Sequence, residues 1–155
     1  MVEDCMNMET KFDDISIAAC PANMVGLIWN RVAPIIQRVV DRSPDDLTLF
    51  TIQERLVSGQ NLLITIARGS EIIAVNVLDV KVLDSGKRIL YIQVTGGDDL
   101  DDWMPQFLDV AKAIGKDYNC TEIRGMTARK GWMKKLKQYG WEETFHTIRC
   151  DIESE

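Results

Sequence analysis

The sequence has little of what metal sites, secretion and membrane insertion require. It contains one histidine and four cysteines with no Cys-x-x-Cys pair, which excludes a zinc site of the usual spacing. No apolar run approaches the roughly 20 residues of a membrane-spanning helix. The acidic stretch 1–14 has neither the positively charged start nor the apolar segment of a signal peptide. We expect no membrane association, no bound metal and a reducing cytoplasm, with Cys120 and Cys150 as buried thiols.

Positive charge is also in deficit. The chain carries 18 Lys and Arg against 24 Asp and Glu, a formal net charge of −6. Because an extended nucleic-acid surface normally needs net positive charge, we expect no nucleic-acid partner. Apolar residues make up 46% of the 155 residues, an ordinary balance for one folded domain. We predict a loosely ordered arm over residues 1–20 and a single domain over residues 21–155.

Helical patterns come first along the chain. Apolar residues recur at helical spacing over Ala22–Val40, where Pro34 should introduce a kink. The stretch Ser43–Asp46 is typical of a helix start, with serine as the cap and proline in the first turn, and Gly59 predicts the end of that helix. A short strand is predicted before them, at Ile15–Ala19.

The remainder predicts a mixed sheet in an α+β domain. Three β-branched runs joined by short glycine-containing turns predict an antiparallel meander. The chain then alternates between strand and helix, and such passages normally make right-handed parallel crossovers. The predicted strands are Asn61–Ala67, Ile72–Leu83, Arg88–Thr95, Cys120–Thr127 and Trp141–Ile152, and the later helices are Leu100–Lys116 and Lys130–Tyr139, the last ended by Gly140.

This order of elements resembles the GNAT superfamily of acyl-CoA N-acyltransferases. The family fold has two helices, a three-strand meander and a β-α-β-α-β tail, and Gly140-Trp141 is similar to its Gly-aromatic pair after the last helix. The GNAT-like proteins of tailed bacteriophages and prophages resemble this chain more closely, over about Met24 to Cys150. The shared features are Trp29 in the first helix, the helix Ser43–Gly59, Gly96-Gly97 followed by Trp103, and Arg129-Lys130-Gly131-Trp132.

The resemblance implies a site for acetyl-CoA. In active family members the coenzyme lies at the junction of the fourth and fifth strands, with its pyrophosphate on backbone N–H groups where the next helix begins. The candidate cofactor-binding residues implied here are Val94, Gly96, Gly97 and Lys130. The two glycines would let the backbone approach a ligand closely.

An acidic loop follows these glycines. Its aspartates are Asp98, Asp99, Asp101 and Asp102. Anions close to a pyrophosphate cost free energy, whereas an aspartate that caps a helix stabilises it by about 1 kcal/mol. Capping by Asp98 or Asp99 is therefore our first interpretation, a degraded coenzyme site the second, and a Mg²⁺ or Ca²⁺ site the third.

Acid–base residues are sparse. The resemblance implies a general-acid tyrosine four residues before the glycine of the Gly-aromatic pair, and that position holds Leu136, so Tyr139 is the remaining candidate. Glu122 is the only carboxylate in the predicted fifth strand and is the candidate base, with a solvated strand residue as the alternative. His146 has a suitable pKa for a base, with an ordinary rim residue as the alternative.

The last predicted helix has a basic face, because Lys130, Lys134 and Lys137 share one side of it. This face is a solvated surface, a clamp on a coenzyme phosphate, or a docking surface for an acidic partner.

Two functions are consistent with the sequence. The first is a phage- or prophage-type protein with a degenerate acetyl-CoA site, acting through binding or assembly with another phage protein or with itself. The second is an active N-acetyltransferase that uses acetyl-CoA and an unknown amine.

Overall fold

A five-stranded mixed sheet with helices on both faces forms the structure, a computed structural model that describes residues 14–127 and 129–153. The strands are β1 (Ile15–Cys20), β2 (Leu62–Arg68), β3 (Glu71–Val82), β4 (Arg88–Gly97) and β5 (Glu122–Gly125). The helices are α1 (Val25–Arg42), α2 (Leu49–Val57), α3 (Leu100–Asp117) and α4 (Lys130–Leu136). Strands lie in chain order, antiparallel from β1 to β4, with β4 and β5 parallel. The predicted α+β class and mixed sheet are confirmed.

Two apolar clusters, one on each face of the sheet, hold the layers together. The α1 and α2 side buries Val32, Ile36, Ile52, Leu56, Leu63, Val75, Val77 and Val94. The α3 side buries Ile64, Ile66, Ala74, Leu78, Leu90, Trp103, Phe107 and Ala111, and Trp132 of α4 joins it. Because successive strand residues point to opposite faces, a sheet covered on both sides is apolar almost throughout.

The boundaries of the first two helices differ from the prediction. Ser43 ends α1, since its hydroxyl donates to the Val40 carbonyl at 2.8 Å. The cap of α2 is Thr48, whose side chain accepts from the Thr51 N–H at 3.2 Å. The prediction that Ser43–Asp46 begins the second helix is wrong, because Asp45 has a φ of 66°, which a right-handed helix cannot include.

The two ends of the chain contain further differences. Residues 1–13 of the predicted arm lie outside the described residues, and the short strand predicted near Ile15 is confirmed as β1. The strand predicted over residues 141–152 is absent: these residues form neither helix nor strand, and every residue from Glu142 to Glu153 is exposed. The thiol of Cys150 is therefore exposed and that of Cys120 half-buried, against the prediction of buried thiols.

Candidate functional site

The site implied by the resemblance lies where β4 continues past the end of β5. The two strands pair from Ile89 with Glu122 to Ile92 with Gly125. Beyond that point β4 pairs only with β3 among the described strands, and its register shifts between the Val77 and Leu78 pairs, so Gln93 is an extra, bulged residue. Among the described strands, the last part of β4 consequently has no partner on the side where β5 has ended.

Close packing explains why glycines end β4. A Cβ at Gly96 would lie 2.5 Å from Cγ2 of Val39, on the helix that packs against this strand. Gly97 has a φ of 125°, and a Cβ there would lie 2.3 Å from the carbonyl oxygen of Ile73. Both glycines are therefore required by contacts within the chain, which accounts for them without a ligand.

The acidic loop borders a cavity of about 370 Å³ that Arg129, Trp132 and Lys135 also line. Each loop carboxylate faces a cation from another element. The pairs are Asp98 with Arg38 at 3.7 Å, Asp99 and Asp102 with Arg68 at 3.2 and 2.7 Å, and Asp101 with Lys135 at 3.2 Å. Of the described cations that line the cavity, Lys135 is thus bound to a loop carboxylate, and Arg129 lies over the ring of Trp132.

Capping of α3 by an aspartate side chain, our first interpretation of the loop, is wrong. Asp99 occupies the N-cap position with a φ of 61°, and its side chain makes no hydrogen bond to the helix N–H groups. The left-handed backbone at this residue instead accompanies a contact between its carboxylate and Arg68. The loop is held by its main chain: the Asp98 N–H donates to Ile73, and the Asp98 carbonyl accepts from Nε1 of Trp103 at 2.8 Å.

Arg68 is the central cation of this region. Its guanidinium contacts Asp14 at the start of β1 as well as two loop carboxylates. The hydrogen bond that Arg68 donates to Asp102 is the largest cause of a raised pKa of Arg68. The sequence alone does not identify this residue, because its partners Asp99 and Asp102 are 31 and 34 positions away and no local pattern connects them.

Arg129 lies near two arginines of α1, Arg38 and Arg42. The guanidinium of Arg129 lies over the ring of Trp132, 4.7 Å from its centroid. Desolvation lowers the pKa of Arg129, as do the nearby charges of Arg42 and Arg38, while Asp98 acts in the opposite direction. Asp98 therefore sits among several cations.

The remaining candidate cofactor residues are not arranged around this cavity by their side chains. Val94 is fully buried in the cluster beneath α1 and α2, so only its backbone is available to a ligand. Lys130 is exposed at the start of α4 and does not line the cavity.

Tyr139, the candidate acid, lies in the 3₁₀ turn Lys137–Tyr139 that follows α4. Its hydroxyl donates to Oδ1 of Asp101 at 2.7 Å, and this hydrogen bond is the largest cause of a raised pKa of Tyr139. Leu136, the residue at the family's acid position, is partly buried against the α3-side cluster. The tyrosine hydroxyl is thus directed at the acidic loop.

Glu122, the candidate base, is held by two cations. Its carboxylate accepts from Lys87 and from Arg124. The hydrogen bond from Lys87, followed by that from Arg124, lowers the pKa of Glu122 to about 2. A carboxylate of such low pKa is a weak base. His146 is exposed, 3.2 Å from Glu143, and far along the chain from this strand.

Comparison with solved structures gives the fold. An aminoglycoside acetyltransferase from an uncultured soil metagenomic sample, in complex with trehalose, has a TM-score of 0.64 at 12% identity, over 91% of this chain and 98% of that chain. The aminoglycoside N-acetyltransferase AAC(6')-Iy in complex with CoA has a TM-score of 0.65 at 15% identity, over 90% and 95%. The fold is that of the GNAT acetyltransferases.

A third GNAT-fold structure is similar over most of its length. It is a predicted acetyltransferase from Clostridium acetobutylicum with acetyl-CoA, with a TM-score of 0.63 at 13% identity, over 89% of this chain and 96% of that chain. At the level of sequence, neither a family model nor a curated protein matches the chain. Within residues 14–127 and 129–153, no helix is long and apolar enough to cross a membrane, and no group of three or more His, Cys, Asp or Glu is placed to hold a metal.

The ion pairs of Glu122 predict a specific pH dependence of stability. Because the pKa of this carboxylate falls from 4.5 to about 2 on folding, its contribution is complete above pH 4.5 and is lost as the pH falls through about 2. Glu122→Gln should therefore lower the urea midpoint at pH 7, and the difference from wild type should shrink markedly as the pH approaches 2. Lys87→Met, which removes the principal partner, should reduce this pH dependence. A difference that persists unchanged at pH 2 would contradict the assignment.

Proposed function

We propose that this chain is a phage- or prophage-type GNAT-fold protein with a degenerate acetyl-CoA site, which acts in the cytoplasm through binding or assembly. One observation carries the proposal: the loop at the start of α3 places four carboxylates beside this cavity, and each of them is already paired with Arg38, Arg68 or Lys135. The loop anions take the place that the coenzyme phosphates would need.

The electrostatic cost of the coenzyme supports this conclusion. A pyrophosphate seated at the loop would compete with the loop carboxylates for Arg38, Arg68 and Lys135, and would lie beside those carboxylates. Two like charges 4 Å apart near a protein surface repel by about 4 kcal/mol at an effective dielectric constant of 20. The residues present here therefore do not fit a pyrophosphate, and we derive no reaction step through the coenzyme.

The acid and base positions support the same conclusion. Leu136 has no proton to donate to a departing thiolate, and the hydroxyl of Tyr139 is bound to Asp101. Glu122 is paired with Lys87 and Arg124, which reduces its ability to take a proton from an amine.

An active N-acetyltransferase is the second candidate, and the open edge of β4 favours it. The strand leaves β5 after Ile92, and structures of similar fold were solved with acetyl-CoA or CoA. In this case the backbone at Gly96 and Gly97, with Lys130, would hold the coenzyme, and Glu122 or a water would deprotonate the amine. The paired carboxylates weigh against this alternative.

A thermal-shift titration separates the two functions. A site with a Kd of about 10 µM would be stabilised by about 2.7 kcal/mol at 1 mM acetyl-CoA, or about 5–10 °C for a chain of this size. We expect no shift for the wild-type protein. Asp98→Asn combined with Asp101→Asn releases charge from Arg38 and Lys135, and this variant should gain a shift that salt suppresses. A wild-type shift of several degrees would refute the degenerate site.

A further inference from the structure

Three arginines, Arg38, Arg42 and Arg129, lie together where the last part of α1 and the start of α4 approach the acidic loop, and we call them the arginine cluster. Arg38 and Arg42 are one turn apart and share one side of α1. Val39, which lies between them, packs over Gly96 of β4, so this end of α1 is held beside the loop. Desolvation lowers the pKa of Arg129, and the charges of Arg42 and Arg38 lower it further, because the three guanidiniums are close to one another.

The arginine cluster carries more positive charge than the described part of the chain neutralises. Among the described residues, the one carboxylate within 4 Å of these guanidiniums is that of Asp98, 3.7 Å from Arg38. This distance is longer than a hydrogen bond, and the side chain of Asp98 is 68% exposed. Like charges held close together cost free energy, and an anion bound among them offsets that cost. The cluster therefore favours an anion from outside the chain.

Arg129 is held in position before any ligand binds. Its guanidinium lies 4.7 Å from the centroid of the ring of Trp132, which is itself buried. Its main-chain N–H donates to Oγ1 of Thr127 at 3.0 Å, which orders the turn into α4. An arginine that stacks on an aromatic ring keeps the N–H groups in its own plane available to a carboxylate. Because less side-chain freedom is lost on binding, Arg129 is suited to anchor an acidic side chain.

The exposure of the arginine cluster indicates which anion it fits. The side chain of Arg38 is 49% exposed, and Arg42 is exposed at the end of α1, so the cluster forms a surface and not an enclosed pocket. Asp98 shows the chemistry that such a surface accepts, since a carboxylate on an exposed loop already lies beside Arg38. The whole chain has a formal net charge of −6, so a local group of cations complements an acidic partner against an acidic background.

We propose that the arginine cluster is the docking site for an acidic segment of a partner protein. Carboxylates of that segment bind Arg42 and Arg129, and one of them takes the place of Asp98 beside Arg38. The inference rests on the proposed function, in which the chain acts through binding, and it names the chemistry of the partner. Because the site is exposed, its complementary charge sets the rate and the salt dependence of association.

Binding of a fluorescein-labelled octaglutamate peptide, followed by fluorescence anisotropy at low salt, tests the docking site. We expect a Kd on the order of 10–100 µM for the wild-type protein, rising about tenfold in about 0.3 M NaCl as the charges are screened. Arg42→Gln and Arg129→Gln should each raise the Kd about tenfold at low salt. Arg31→Gln is the matched control: Arg31 is exposed on α1 and is not among the charges that act on Arg129, so the Kd should not change.

Asp98→Asn tests the same site with the opposite sign. It removes the carboxylate that competes for Arg38, so the peptide should bind several-fold more tightly. Asp84→Asn, between β3 and β4, changes the net charge equally and should leave the Kd unchanged. Equal Kd values for Arg42→Gln and Arg31→Gln, or for the two asparagine variants, would overturn the proposal once circular dichroism shows each variant folded. Tighter binding of a single-stranded oligonucleotide of similar charge would also overturn it. The degenerate site is tested separately by acetyl-CoA, so failure of the docking site is distinguishable from failure of the proposed function.

Discussion

Gly97→Ala is expected to destabilise the protein by roughly 3–5 kcal/mol, combining left-handed strain with an overpacked contact. Gly97 has a φ of 125°, and an added Cβ would meet the Ile73 carbonyl oxygen at 2.3 Å and Cα of Ala74 at 2.4 Å. These are backbone atoms of the neighbouring strand, so they cannot move aside without breaking the sheet. Urea unfolding followed by circular dichroism measures the effect.

Gly26→Ala is the matched control for this substitution. Gly26 lies in α1 without positive φ, and nothing lies within 4 Å of an added Cβ. Alanine is favoured over glycine in helices by up to about 1 kcal/mol, so this variant should be slightly more stable than wild type. If Gly97→Ala were as stable as Gly26→Ala, the packing explanation of the glycine pair would be wrong, and a ligand role for Gly97 would regain support.

Trp103→Ala should cost about 3–5 kcal/mol, the range for deleting a buried aromatic ring. Trp103 is fully buried, makes edge contacts with Phe107 and Trp132, and donates from Nε1 to the Asp98 carbonyl. Removing the ring takes away both the centre of the α3-side cluster and the hydrogen bond that holds the acidic loop. Thermal and urea unfolding at neutral pH measure the loss.

Trp103→Phe separates the two contributions. A phenyl ring retains much of the packing and loses the hydrogen bond to Asp98, so a smaller loss of about 1–3 kcal/mol is expected. The loop should become more mobile, which amide hydrogen exchange at residues 98–102 would detect. A cost equal to that of Trp103→Ala would show that the hydrogen bond, and not the ring, dominates.

Features encoded by neighbouring residues were predictable from the sequence. The helical spacing in α1 and α3 and the glycine-containing turns between β2, β3 and β4 depend on residues a few positions apart. The fold class followed from the order of these elements, and it is confirmed by the sheet and by the similar structures. Helix ends were less predictable, because Ser43 and Thr48 are both good caps and the positive φ of Asp45 decided between them.

Features that depend on distant partners were not predictable. No local pattern connects Arg38 or Arg68 with the acidic loop, so the carboxylates had to be considered as unpaired charges. The ion pairs add a second physical reason for excluding the coenzyme. Its phosphates would be repelled by the loop carboxylates, and they would also compete with those carboxylates for the same cations. The strand predicted over residues 141–152 is wrong for a similar reason. Alternating apolar residues predict a strand, but they do not determine the sheet edge with which it pairs.

Isothermal titration of the unaltered protein with acetyl-CoA at low salt measures coenzyme binding itself, since low ionic strength favours any phosphate contact. The occupied cations predict no saturable heat up to about 1 mM ligand, which corresponds to binding weaker than about −4 kcal/mol. A one-site isotherm with a micromolar Kd would contradict the proposal of a degenerate site. It would show that the coenzyme phosphates displace the loop carboxylates from their cations.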